Sequence, residues 1–126
     1  MSKTALIVED EIFVALDLER ILEDAGYTVK AIAADRRGAL EAANGCGFAF
    51  VDVNLRDGST GPSIAREMAH DHGVCVVFVT ANPAQIDQPH PALGYVRKPF
   101  SEASILAASE LASTGDASST EMLAAL

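Results

Sequence analysis

The chain is poor in basic residues. Lys and Arg total 9 against 18 Asp and Glu, a formal net charge of -9. No basic stripe is present to displace counterions from a phosphate backbone, which argues against a nucleic-acid binder. Cysteine is scarce too: Cys46 and Cys75 are the two, and they are not spaced like metal ligands. Cys75 lies in an apolar run and reads as a small core residue. With no disulfide framework, a reducing cytoplasm is the expected compartment. No stretch is long enough for a signal peptide or a membrane span, since Met1-Ser2-Lys3-Thr4 leads only into ALIV. Nor does any internal repeat or linker divide the chain.

What is present is enough apolar sequence for one core. About half of the 126 residues are hydrophobic, and the length fits one domain. Apolar runs alternate with helical patterns. TALIV (4–8) reads as a strand ended by Glu9-Asp10. Residues 11–25 follow as a helix with Val14, Leu18, Ile21, Leu22 and Ala25 on one face, stopped by Gly26. Residues 27–33 read as a second strand. Asp35 is placed to cap a helix that runs to Asn44-Gly45. Residues 47–52 form a third strand, and Gly61-Pro62 opens the next helix with Ile64, Ala65 and Met68 inward. VCVVFV (74–79) is the most apolar strand and is expected at the centre. Pro83, Pro89 and Pro91 then limit any helix to a turn or two. LGYV (93–96) is a short fifth strand, and Ser101 caps a last helix with Ile105, Ala108, Leu111 and Ala112 on one face. Residues 115–126 read as a tail, either flexible or a short helix; residues 1–114 are the expected domain.

This alternation predicts an α/β fold, a doubly wound five-stranded parallel sheet. With strand order 2-1-3-4-5, the switch point lies between the first and third strands, where sites form beyond the strand ends. Glu9, Asp10 and Asp52 should converge there. Three clustered carboxylates call for a cation, and hard oxygens suit Mg²⁺ or Mn²⁺. His70 and His72 near a helix end read as a solvated pair, and His90 also lies outside this set. Thr80 ends the fourth strand and Lys98 follows the fifth, both facing the same crevice. A hydroxyl, an ammonium and a dication around one carboxylate suit a phosphoryl group, with Asp52 as the nucleophile forming an aspartyl phosphate.

VEDE (8–11), FVDVNL (50–55), VTAN (79–82) and GYVRKPF (94–100) resemble the receiver domain of two-component response regulators, over residues 4–113. That resemblance implies a flavodoxin-like fold with Asp52 as phosphoacceptor. It implies Asp10 as a direct metal ligand, Glu9 acting through water, and the Asn54 backbone carbonyl as a further ligand. Thr80 and Lys98 match the phosphoryl-binding hydroxyl and ammonium. Ala81 matches a small residue that leaves the phosphoryl group open, and Tyr95 the aromatic that moves with the threonine. The Lys98-Pro99 bond is expected to be cis.

Departures are visible. Arg56 stands where proline is common. The loop glycine comes one residue late, at Gly61, so Asp57-Gly58-Ser59-Thr60 holds an insertion. The interval from Thr80 to Lys98 is short, so the helix between the fourth and fifth strands, the fourth of the family pattern, is reduced. Similar departures occur in stand-alone receivers from alphaproteobacteria. The resemblance therefore implies a single-domain regulator that takes phosphoryl groups from a histidine kinase or histidine phosphotransfer protein. Its output would be contact with a downstream protein or onward transfer, as a monomer or a phosphorylation-dependent dimer, with no nucleic-acid or membrane partner. It would not be a turnover enzyme on external substrates. The alternatives are a phosphate sink for a kinase serving another regulator and a degenerate receiver used only for binding. A haloacid-dehalogenase-type hydrolase would place its nucleophile after the first strand, where Glu9-Asp10-Glu11 stands. A flavodoxin-like cofactor binder would need a phosphate loop there, and none follows.

Overall fold

A computed structural model describes residues 3–86 and 92–114 of the chain. Strands β1 (Thr4–Val8), β2 (Thr28–Ala33), β3 (Phe48–Asp52), β4 (Cys75–Thr80) and β5 (Gly94–Arg97) form one parallel sheet in the order β2-β1-β3-β4-β5. This is the expected topology. The central place belongs to β3, whose five residues are all buried. The more apolar β4, expected there, lies one strand further out, and its own burial is completed by β5 on its free edge.

Four α-helices cover the sheet among the described residues: α1 (Ile12–Asp24), α2 (Arg36–Ala42), α3 (Gly61–His72) and α4 (Glu102–Thr114). Strand alternation divides the core in two. Ala5, Ile7, Phe48, Phe50, Val77, Val79 and Val96 face α1 and α4. Leu6, Val8, Ala49, Val51, Val76 and Phe78 face α2 and α3. Cys46 belongs to the latter layer, and Cys75, partly buried, packs against the former.

The helix ends follow from the local sequence. Asp35 accepts the Gly38 N–H and caps α2. Ser101 and Ser104 cap α4 reciprocally, each hydroxyl accepting the other's backbone N–H. α1 ends one residue before the expected Ala25, which is exposed. There the N–H of Gly26 reaches Glu23 and that of Tyr27 reaches Leu22, with Gly26 at φ 94°, the left-handed stop that glycine adopts without penalty.

Between β4 and β5 the described residues contain one 3-10 turn, Pro83–Gln85. Residues 87–91, with Pro89, His90 and Pro91, lie outside the described residues, as does the expected tail at 115–126. On this face of the sheet Ile86 and Ala92 join the core, and the partly buried Tyr95 packs against it.

Gly61 starts α3 directly against the end of β3. A Cβ there would lie 2.7 Å from Val53 Cα and closer still to the Asp52 carbonyl oxygen. Both obstacles are backbone, so neither can swing aside. Gly61→Ala is expected to cost about 3 kcal/mol, the upper range for overpacking, read as a fall in the urea midpoint with an unchanged slope.

Candidate functional site

Parallel pairing sets the functional side chains. Val8 is in register with Val51, so the next residues, Glu9 and Asp52, emerge side by side. Asp52 is opposite Val79, and Thr80 is opposite Arg97, which precedes Lys98. Period two then chooses the faces. Glu9 continues the Ala5, Ile7 row, Asp52 the Phe48, Phe50 row, and Lys98 follows Val96, all toward α1 and α4. Thr80 continues from Phe78 toward the α3 side, the layer against which Tyr95 packs.

The result is a cleft of about 280 Å³ lined by Asp10, Glu11, Asp52, Asn54, Leu55, Thr80, Ala81, Asn82 and Lys98. Carboxylate oxygens of Glu9, Asp10 and Asp52 all lie within 4.8 Å of one another. Glu9 and Asp52 are buried and Asp10 is exposed. Lys98 Nζ sits 2.8 Å from Glu9 Oε1 and 3.0 Å from Asp52 Oδ2, and 3.8 Å from Glu11. The other oxygen of Asp52, Oδ1, accepts the Asn54 N–H at 3.3 Å. Thr80 Oγ1 accepts the Asn82 N–H at 3.0 Å, which leaves the threonine proton to be donated into the cleft. The Lys98-Pro99 bond is cis.

Electrostatics favour a cation here. Burial pushes Glu9 up to about 7, and the Asp52 charge adds to the rise, while Lys98 opposes it. Burial also pulls Lys98 down, but contact with Glu9 and Asp52 outweighs this and leaves it above its usual value. One ammonium thus serves two buried carboxylates, with Asp10 beside them. An all-oxygen donor set with an open cleft fits a divalent ion of the Mg²⁺ class, which keeps several waters.

The site contains features that the sequence did not reveal. Asn54 donates from Nδ2 to Gln85 Oε1 at 2.7 Å and accepts from Ser59 at 3.1 Å. The insertion is folded onto its neighbours: Leu55 and Gly58 bond each other's backbones, Thr60 donates to Asp57 at 2.6 Å, and Asp57 accepts the Arg36 N–H. The Thr60 hydroxyl and the Arg36 N–H hold Asp57 below its usual carboxylate range. Beside the cleft, a groove of about 460 Å³ is lined by Phe13, Val14, Pro99 and Phe100, and shares Glu11, Ala81 and Lys98 with it. Ile12, Phe13 and Leu16 are large apolar side chains left exposed on α1. They fall within the helix expected over residues 11–25 but outside the face read for it, and a sequence does not say which apolar residues stay uncovered. His70 and His72 are exposed at the end of α3, away from the site.

In the metal-free chain, Glu9 gives stability a defined pH dependence. The folded state holds the proton to about pH 7, whereas an unperturbed glutamate releases it near 4.5. The folded state therefore binds more protons between these values, and stability falls as pH rises through that window, by on the order of 2–3 kcal/mol. Urea unfolding in EDTA from pH 4.5 to 7.5 should show the fall, and Glu9→Gln should flatten it.

Comparison with known proteins agrees with the geometry. The family model "Response regulator receiver domain" matches residues 5–110. The phyllosphere-induced regulator PhyR of Methylorubrum extorquens is 34% identical over 113 residues, covering 85% of this chain and 42% of its own. This chain thus spans less than half the length of that relative. The solved PhyR receiver domain of Erythrobacter litoralis superposes with a TM-score of 0.80 at 32% identity, covering 88% of this chain and 89% of its own. PhyR from Brucella abortus gives 0.76 at 27% identity over 99% of this chain and 52% of its own. The N-terminal domain of a response regulator/sensory box/GGDEF protein from Carboxydothermus hydrogenoformans gives 0.77 at 31%, over 88% and 94%. Such domains are a class distinct from enzymes that turn over external substrates. With sheet order, acidic cluster and family match in agreement, the chain belongs to the response regulator receiver domain family.

Proposed function

We propose that this chain accepts a phosphoryl group on Asp52 in a Mg²⁺-dependent reaction and signals through the modified state. The observation that carries the reading is the Asp52 carboxylate, held between the Asn54 N–H and the Lys98 ammonium with Glu9 and Asp10 beside it. Asp10, Asp52 and the Asn54 carbonyl would hold the ion directly, and Glu9 through a water. Bound there, the ion would supply charge neutralisation for the oxygens of the phosphoryl group and of Asp52; Mn²⁺ has the same ligand preferences and would substitute.

A carboxylate oxygen of Asp52 forms the new P–O bond as the bond to the donor nitrogen breaks, and the donor histidine leaves with that electron pair. Lys98 moves its ammonium toward the phosphoryl oxygens, where negative charge now lies. Thr80 donates its free proton to another of these oxygens, and the small Ala81 leaves room for the group. Thr80 and Tyr95 lie on the same side of the sheet, so drawing Thr80 toward the cleft opens space for Tyr95. This links modification to surface shape as a shift between two states.

The exposed Ile12, Phe13 and Leu16 and the groove joining the cleft support a protein donor, because apolar surface of this kind is typical of docking sites. We assign that role to a histidine kinase or histidine phosphotransfer protein in the cytoplasm. Among the described residues no helix is long and apolar enough to cross a membrane. Output is contact with a downstream protein or onward transfer, and a phosphate sink uses the same chemistry.

Acetyl phosphate with Mg²⁺ should give a single phosphoryl adduct by intact mass. Asp52→Ala and EDTA should each abolish it, and Lys98→Met should lower its yield at least tenfold, as expected when a charge stabiliser is removed. An adduct that persists in Asp52→Ala refutes the assignment. A wild type that takes none leaves a degenerate binding module as the better description.

A further inference from the structure

Resting on that reading, we propose that Gln85 is a positioning residue for the phosphoryl chemistry: through the Asn54 carboxamide it ties the two loops that wall the cleft and shields the group on Asp52 from water. The two loops leave the sheet separately. Asn54 stands two residues beyond the end of β3, and Gln85 five beyond the end of β4. Their side chains meet at 2.7 Å.

Both partners of this bond are anchored. Gln85 closes the 3-10 turn with its N–H on the Asn82 carbonyl, and the next residue, Ile86, is buried. Asn54 is fixed at three points: its N–H on Asp52, its side-chain oxygen on Ser59, and its side-chain nitrogen on Gln85. Ser59 in turn belongs to the insertion that Asp57 fastens to α2. The carboxamide is therefore held at both its oxygen and its nitrogen. Its main chain carries the N–H that orients Asp52, so Gln85 acts on the acceptor through Asn54.

Asn54, Asn82 and Lys98 line the cleft, and the Asn54 N–H and the Lys98 ammonium meet different oxygens of Asp52. A phosphoryl group on Asp52 would lie in this cleft beside Asn54, and Gln85, bonded to Asn54 from behind that lining, joins the loop after β4 to it. Both residues are exposed, so the bond adds little to global stability, water being ready to replace it. Its consequence is local: it sets how often the wall opens.

The test uses two variants. Gln85→Met keeps the length and removes the acceptor; Gln85→Glu keeps an acceptor for Asn54 Nδ2. Each is phosphorylated with acetyl phosphate at saturating Mg²⁺, the donor is removed, and decay of the adduct is followed by intact mass. Gln85→Met should decay roughly fivefold faster than wild type, equivalent to about 1 kcal/mol on the barrier. Gln85→Glu should stay within roughly twofold, and the thermal midpoints of all three should coincide, as expected for an exposed bond. A Gln85→Met adduct that lasts as long as wild type overturns this inference alone, as does a Gln85→Glu adduct as short-lived as that of Gln85→Met. A wild type with no adduct overturns the phosphoacceptor reading, and this inference falls with it.

Discussion

Two buried carboxylates share one ammonium. Glu9 and Asp52 both contact Lys98, and the structure around the cleft depends on that arrangement. Burying two like charges with a single countercharge is costly, because desolvation is only partly offset by the ion pairs. The rise of Glu9 toward neutral pH is the direct expression of that cost. A stable alternative is easy to imagine, with apolar residues at the same strand ends. The chain instead keeps an under-neutralised site at the end of a well-packed sheet, and the packing of Phe48, Phe50 and Phe78 on the two faces supplies the stability that the site removes.

The sheet order is what makes the arrangement possible. Glu9 and Asp52 are 43 positions apart in sequence, yet neighbours because β3 returns beside β1. Reversal of winding at that point leaves no crossover helix over the strand ends. Gly61 keeps α3 close against the end of β3, where any side chain would collide with backbone. The late position of that glycine is therefore tied to the insertion before it. The loop that holds this insertion is folded by its own hydrogen bonds, Leu55 with Gly58 and Asp57 with Thr60, before α3 begins.

Much of this was legible in the sequence. The strands were readable because parallel strands buried on both faces are continuous apolar runs. Asp35, Gly26 and Ser101 announced helix ends by chemistry that acts within four residues. The acidic cluster was readable because acids at the ends of apolar strands have few other reasons to be there. Three things were hidden. The central place of β3 depends on topology, and β4 is simply the more apolar run. Exposure of Phe13 depends on what does not pack against α1. The Asn54–Gln85 bond joins residues 31 apart whose types, a polar residue after a strand and another in a turn, are ordinary in loops.

The reduced connection between β4 and β5 and the enlarged one after β3 are linked through that bond. A full helix after β4 would carry its first turn on its own backbone hydrogen bonds and would need no tie to another loop. Among the described residues of this connection there is one 3-10 turn, and Gln85, exposed at its end, reaches Asn54 with its side chain. The insertion supplies Ser59 to hold the opposite side of the same carboxamide. The two altered loops thus meet on the Asn54 carboxamide, whose own N–H contacts Asp52. The cleft keeps the chemistry set by the strand ends, while its wall is built from the two segments in which this chain departs from the common receiver pattern.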